Sequence, residues 1–184
     1  MSGDATATLP MLPKLEVVQP EHMPDTGLDM QTDVVIIGSG AAGAVTAYEL
    51  VRSGAKVVVL EAGPYIPSSE FEEHLPTALE TLYEDHGNQL NTTGDLAILQ
   101  GRCVGGSTVV NAAVCFRVPD QVLDHWRSEH GLENLSPEVL APHFERVERN
   151  LSIHRNAPHE VNYNGRLLIE GAHKVGIPAA ATSR

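Results

Sequence analysis

Residues 33 to 43 read Asp33-Val34-Val35-Ile36-Ile37-Gly38-Ser39-Gly40-Ala41-Ala42-Gly43, and this stretch decides the fold. Its first five residues are short, β-branched and apolar, the pattern of a strand buried on both faces of a parallel sheet. A glycine turn follows at once, and Ala44 to Ser53 then has the composition of a helix that stops at Gly54. The order is strand, G-x-G-x-x-G, helix. Gly38 permits the tight turn, Gly40 lets backbone approach a pyrophosphate, and Gly43 lets the helix lie close to the strand. The first amides of the helix and its positive end then face the phosphates. A second apolar run, Lys56-Val57-Val58-Val59-Leu60, ends at Glu61. A carboxylate about 20 residues beyond the glycines is placed to accept hydrogen bonds from ribose hydroxyls and to repel a 2′-phosphate. A bare glycine motif also makes ordinary turns, but this strand, helix, strand and acid context predicts dinucleotide binding. The motif by itself does not separate FAD from NAD.

Around this unit the chain has the composition of a globular protein. Its 184 residues suffice for one domain, or one domain and a fragment. Hydrophobic residues make up 42% and charged residues 20%, outside the disordered and collagenous classes. Twelve Lys and Arg against 24 Asp and Glu leave a formal charge of −12, which disfavours nucleic acid as a partner. Two cysteines form no disulfide framework and no zinc-finger spacing occurs, so a cytoplasmic location is expected. No stretch of 18 apolar residues predicts a membrane span, and Met1 to Pro13 lacks the pattern of a secretory signal.

A second glycine cluster lies downstream. Residues 101 to 119 run Gly101-Arg102-Cys103-Val104-Gly105-Gly106-Ser107-Thr108-Val109-Val110-Asn111-Ala112-Ala113-Val114-Cys115-Phe116-Arg117-Val118-Pro119. With the first motif and Glu61-Ala62-Gly63-Pro64 at the end of the second strand, this resembles the glucose-methanol-choline (GMC) family of flavin oxidoreductases, in which a G-G-S-[ST]-x-x-N segment passes under the flavin. Small side chains suit a flat ring resting on backbone, and amides near its N1 to O2 and N5 edges stabilise the reduced form.

The resemblance implies an α/β, Rossmann-like FAD-binding domain, with a parallel sheet built on a βαβ unit, incomplete and continued by a helical excursion. It implies cofactor contacts from Gly38, Ser39, Gly40, Ala41, Ala42 and Gly43 at the phosphate turn, from Glu61 at the adenosine ribose, and from Gly105, Gly106, Ser107, Asn111, Ala112 and Val114 on the flavin side. Family members often carry Gly where this chain has Ala112 and Ala113. Some attach FAD to a His directly before the motif Asn; that position is Val110 here, which implies non-covalent FAD.

The expected organisation is an extended N-terminal arm over 1–31, a FAD-binding core over 32–119 and a helical segment over 120–184. Asp120 is expected to cap a helix carrying Val122, Leu123 and Trp126 that ends near Gly131; Ser136-Pro137 opens a turn, and Pro142 restarts a helix whose Phe144, Val147 and Leu151 share one face. Asn162 or Asn164 is expected to cap a last helix with Leu168, Ala172 and Val175 facing inward.

No catalytic residue is assigned. GMC members are much longer chains, and the His-His or His-Asn pair that takes the alcohol proton lies in their C-terminal part. None of the nine histidines here has a matching context; His125, His130, His143 and His154 read as solvated helix surface and His86 as loop. Cys103 and Cys115 read as small apolar side chains rather than a redox pair, and the acids from Glu70 to Glu84 as a solvated face. Arg102 reaches a phosphate or caps its turn; the sequence leaves both open.

The reading is therefore the FAD-binding N-terminal part of an oxidoreductase acting on an alcohol substrate, the remainder of the enzyme being a possible second chain. Two alternatives stand beside it: a truncated or split chain that binds a nucleotide without catalysis, and an NAD-binding sensor module, which leaves the second glycine cluster without a role.

Overall fold

The structure is a computed structural model and describes residues 15–184. The first 14 residues of the expected arm lie outside the described residues; Leu15 to Gln31 carry a single 3-10 turn, Pro20–His22. The chain folds as two compact units, one ending at Asn111 and the other running Ala112–Arg184.

In the first unit, β1 (Val34–Ile37), α1 (Ala41–Arg52) and β2 (Val57–Leu60) form the βαβ unit. The strands are parallel and adjacent, with Val34 opposite Val57 and Ile37 opposite Leu60. Gly38 has φ +87°, a conformation that glycine adopts at no steric cost, and its N–H closes the turn on the Leu60 carbonyl at 2.7 Å. A Cβ built at Gly43 would fall 2.0 Å from the Gly38 carbonyl oxygen and 3.4 Å from Ile36 Cγ2. The third glycine thus sets how closely α1 lies over β1, as the motif predicts.

Burial on both strand faces does not hold. Exposure alternates along β1, and Val35 and Ile37 are 54% and 88% exposed. The face carrying Ile36 packs under α1, whereas among the described residues no element covers the opposite face. Beyond β2 come α2 (Leu75–Leu82) and the short antiparallel pair β3 (Gln89–Leu90) and β4 (Ala97–Ile98). Most of the acidic stretch is exposed, as expected, but Glu84 pairs with Arg102 Nε at 3.3 Å.

The second unit holds α3 (Asp120–His130), α4 (Pro137–Asn150) and α5 (Tyr163–Lys174). Helix α3 ends on Gly131 at φ +65°, but its N-cap is Pro119 and Asp120 is its first helical residue, where a carboxylate favours the positive helix end without capping it. Leu123 on α3 and Cys103 in the first unit are the buried residues among those described.

Ser136 caps α4 by accepting from the Val139 N–H at 3.3 Å, and Pro137 takes the first turn. Pro142 therefore sits inside one continuous helix instead of restarting it. It is exposed there and cannot donate to the carbonyl of Glu138, itself an exposed residue. Asn162, of the two candidates, caps α5 by accepting from the Gly165 N–H at 2.8 Å. Leu168 and Val175 do not face inward, being 75% and 71% exposed. Arg117 makes a two-point contact with Glu148, its Nε and Nη2 at 2.7 and 2.6 Å from the carboxylate oxygens.

Candidate functional site

The first unit brings the two glycine clusters and the strand-end acid together. Glu61 follows β2 directly, and its carboxylate turns back to the glycine turn. Oε2 accepts from the Ser39 N–H at 2.8 Å and from the Ser39 hydroxyl at 2.6 Å, while Oε1 accepts from the Gly63 N–H at 2.9 Å. Burial pushes the Glu61 pKa upward, but donors from the Ser39 hydroxyl, Gly63, Ser39 and Ala62 outweigh it and hold the carboxyl below its ordinary range. The acid is ionised at neutral pH. An ionised carboxylate offers about four acceptor positions, and the protein's donors crowd them: two from Ser39 on Oε2, one from Gly63 on Oε1, and the Ala62 backbone N–H besides.

The Ser39 hydroxyl has a second partner. It accepts from the Gly105 N–H at 2.8 Å, across 66 positions of sequence. The clusters also touch through backbone, for a Cβ on Gly106 would come within 3.1 Å of Gly40 Cα. Gly105 at φ +99° leads into a 3-10 turn, Gly106–Thr108, and the Gly105 carbonyl accepts from the Thr108 hydroxyl at 2.6 Å. Ser107 Oγ accepts from the Gly101 N–H at 3.0 Å, and the Asn111 side-chain amide donates to the Thr108 carbonyl. Both residues shape the turn that carries them.

Helix α1 starts at Gly40 with no capping side chain. A Cβ built at Gly38 or at Gly40 would meet nothing within 4 Å. Bare backbone, open space and an uncapped helix N-terminus with Ala41, Ala42 and Gly43 in its first turn fit a pyrophosphate. Ala112 and Val114 belong to the second unit, where both are exposed and Ala113 between them stands at φ +54°. The expected cofactor residues thus fall into one assembled group, from Gly38 to Asn111, and a pair on the other unit.

Cys103 lies beneath the second cluster at 2% exposure, its thiol pushed up in pKa by burial and then by the Glu61 charge. That is an inert thiol. Arg102, left open by the sequence, is paired to Glu84. His86, His125, His130, His143 and His154 are all exposed, and among the described residues no cluster of His, Cys, Asp and Glu could hold a metal. No helix among them is long and apolar enough to cross a membrane. Sequence reasoning missed the Ser39 to Gly105 bond, since a serine between two glycines signals only a small polar side chain and says nothing of a partner 66 residues away.

A parallel βαβ unit, an uncapped glycine turn and an ionised acid closing the second strand define a dinucleotide-binding protein of Rossmann type. The GMC oxidoreductase family model matches residues 32–184, and the chain belongs to that family, of which it is the N-terminal FAD-binding portion. It is 36% identical over 156 residues to an uncharacterized GMC-type oxidoreductase of Mycobacterium tuberculosis, covering 84% of this chain and 25% of that protein. It is 31% identical over 160 residues to a long-chain-alcohol oxidase of Arabidopsis thaliana, covering 87% of this chain and 21% of the oxidase. The chain therefore spans about a quarter or less of the length of these relatives. The crystal structure of pyridoxine 4-oxidase from Mesorbium loti shares the fold, with a TM-score of 0.61 at 23% identity over 80% of this chain and 33% of the other.

Proposed function

We propose that this chain is the cofactor-holding part of an enzyme that oxidises an alcohol by hydride transfer to FAD. The observation that carries the reading is the junction of the two glycine clusters at Ser39, beside an uncapped helix N-terminus. An NAD-binding module needs the first cluster but gives no use to the second. Kinship with a long-chain-alcohol oxidase supports an alcohol as the donor, and bound FAD supplies the two-electron acceptor.

The roles of the chain's own groups follow from their chemistry. The amides opening α1 take the pyrophosphate, with Gly38 and Gly40 giving it room and Ala41, Ala42 and Gly43 keeping the approach small. Glu61 accepts from a ribose hydroxyl on the Oε1 side, away from the two Ser39 donors on Oε2, while the negative charge disfavours a 2′-phosphate. Ser107 and Asn111 present the flavin side. Val110 has no atom able to bond to the ring, so FAD is held without a covalent link. His86, His125, His130, His143 and His154 are exposed, and taking the hydroxyl proton is assigned to another part of the enzyme.

The test is to purify the complete protein, record its absorption and denature it. A yellow protein that releases its flavin on denaturation, and whose flavin bleaches anaerobically with primary, secondary or sterol-like alcohols, agrees with the proposal. Colourless protein that responds to NADH instead would overturn it, and bleaching by the 184 residues alone would misplace the proton acceptor.

A further inference from the structure

We propose that Ser39 is a positioning residue whose hydroxyl locks the second glycine cluster and the Glu61 carboxylate into one preformed cofactor cradle, an inference that rests on the FAD reading above. At this hydroxyl three separate pieces of the described chain meet through one atom. It donates its proton to Glu61 Oε2 at 2.6 Å and accepts the Gly105 N–H at 2.8 Å. Its direction is fixed by charge. An ionised carboxylate can only accept, so the serine proton points to Glu61 and a lone pair is left for the Gly105 amide.

Two consequences follow. First, the bond to Gly105 holds the start of the 3-10 turn Gly106–Thr108, and through it Ser107, against the first glycine turn. Second, the hydroxyl and the Ser39 amide together occupy Oε2, which directs a ribose hydroxyl to the Oε1 side of the carboxylate. Ser39 thus sets both where the ribose contact is made and how far the flavin-side turn stands from the phosphate turn. An alanine here would keep the backbone and remove the link, because the bonds at stake are made by the hydroxyl alone apart from the Ser39 N–H.

The experiment compares the complete protein with its Ser39→Ala, Ser39→Cys and Ser39→Thr variants. FAD affinity is read by flavin fluorescence, the pH at which FAD is released by titration, and exchange of the Gly105 amide in FAD-stripped protein by hydrogen-deuterium mass spectrometry. Ser39→Ala is expected to weaken FAD binding about tenfold or more, the effect of losing a hydrogen bond to a charged group. Its release point should move to higher pH, because Glu61 loses a donor to its ionised form; the titratable neighbour facing Glu61 is Cys103, whose thiol stays neutral across that range. The Gly105 amide should exchange faster, and Ser39→Thr, which keeps a hydroxyl, should restore all three readings. Should Ser39→Ala fail to fold, Ser39→Cys, with its weak donor and acceptor, is read in its place and should show the same directions. Unchanged Gly105 exchange would overturn the link. Faster exchange with FAD affinity and release pH unchanged would leave it a local brace and overturn the positioning role. A wild-type protein that binds no FAD would overturn the functional reading and this role with it, whereas normal binding in wild type and variant alike overturns this role only.

Discussion

Replacing Glu61 by glutamine tests the site at its most connected atom pair. The sequence alone suggests that such a change weakens ribose binding and leaves the fold intact; the structure predicts a fold effect as well. Glutamine keeps one acceptor oxygen and turns the other position into a donor. If the oxygen stays with Ser39, the new NH2 faces the Gly63 N–H at a site where oxygen and nitrogen now stand 2.9 Å apart. One hydrogen bond to a charged group is lost, about 1.5 to 3 kcal/mol, and the two at Ser39 fall to neutral strength, about half. The site is partly exposed, so solvent screening reduces the sum. A net loss of about 2 kcal/mol results, or about 4 to 8 °C in Tm for a chain of this size. Thermal unfolding by circular dichroism, with and without FAD, reads the fold term, and fluorescence titration reads the cofactor term. A Tm within about 1 °C of wild type would refute the claim that Glu61 braces its own turn, and equal FAD affinity would refute the ribose contact.

Gly43→Ala places a Cβ 2.0 Å from the Gly38 carbonyl oxygen, inside any tolerable contact. The helix must lift off β1, costing about 1 to 3 kcal/mol or more, and FAD retention should fall with it; unaltered denaturant midpoints would show that α1 lies less close than described. Ala113→Gly relieves a left-handed alanine at φ +54°, and the unfolded-state entropy of glycine offsets part of the gain, so a rise of up to about 1 kcal/mol is expected in urea unfolding. Stability should also fall on acidification. Glu61, Glu148 and Glu160 all have lowered pKa values in the folded chain, so their contribution is fully present above the ordinary carboxylate pKa and disappears as pH falls through their folded values. Urea midpoints measured from neutral pH down through the carboxylate range should show a loss that Glu61→Gln makes smaller.

How much of this was legible beforehand depends on the range of the forces involved. The βαβ unit was readable because its determinants are local: β-branched runs, three glycines and an acid at fixed spacing. The end of α3 at Gly131 was readable for the same reason, and the cap of α5 as far as Asn162 or Asn164. Pro142 misled because a proline biases a helix boundary locally, whereas the helix start is set upstream, where Ser136 caps and Pro137 takes the first turn. Leu168 and Val175 misled because periodicity says which residues share a face, not whether anything covers it. The same limit applies to Ile37, whose apolar character fits a buried strand but whose partner surface is not encoded in its own segment. At the site, residue types and spacing named residues that the first unit brings together, the glycine turn with Glu61 and the turn that begins at Gly105. The duty of Glu61 as a brace, and the bond from Ser39 to Gly105, depend on chain returning from far away and left no local mark.

That bond also orders events in time. The contacts of β1, α1 and β2 lie within residues 34 to 60 and form by short loop closures. The Ser39 to Gly105 contact closes a loop of 66 residues, and the entropy of loop closure grows with length, so it comes later than the local pairings unless an early collapse draws the clusters together. During synthesis the phosphate turn leaves the ribosome well before the segment that carries Gly105. Where the local pairings come first, assembly of the cradle is a docking of the second cluster onto the first, and a mutation at Gly105 should slow that step more than the pairing of β1 with β2.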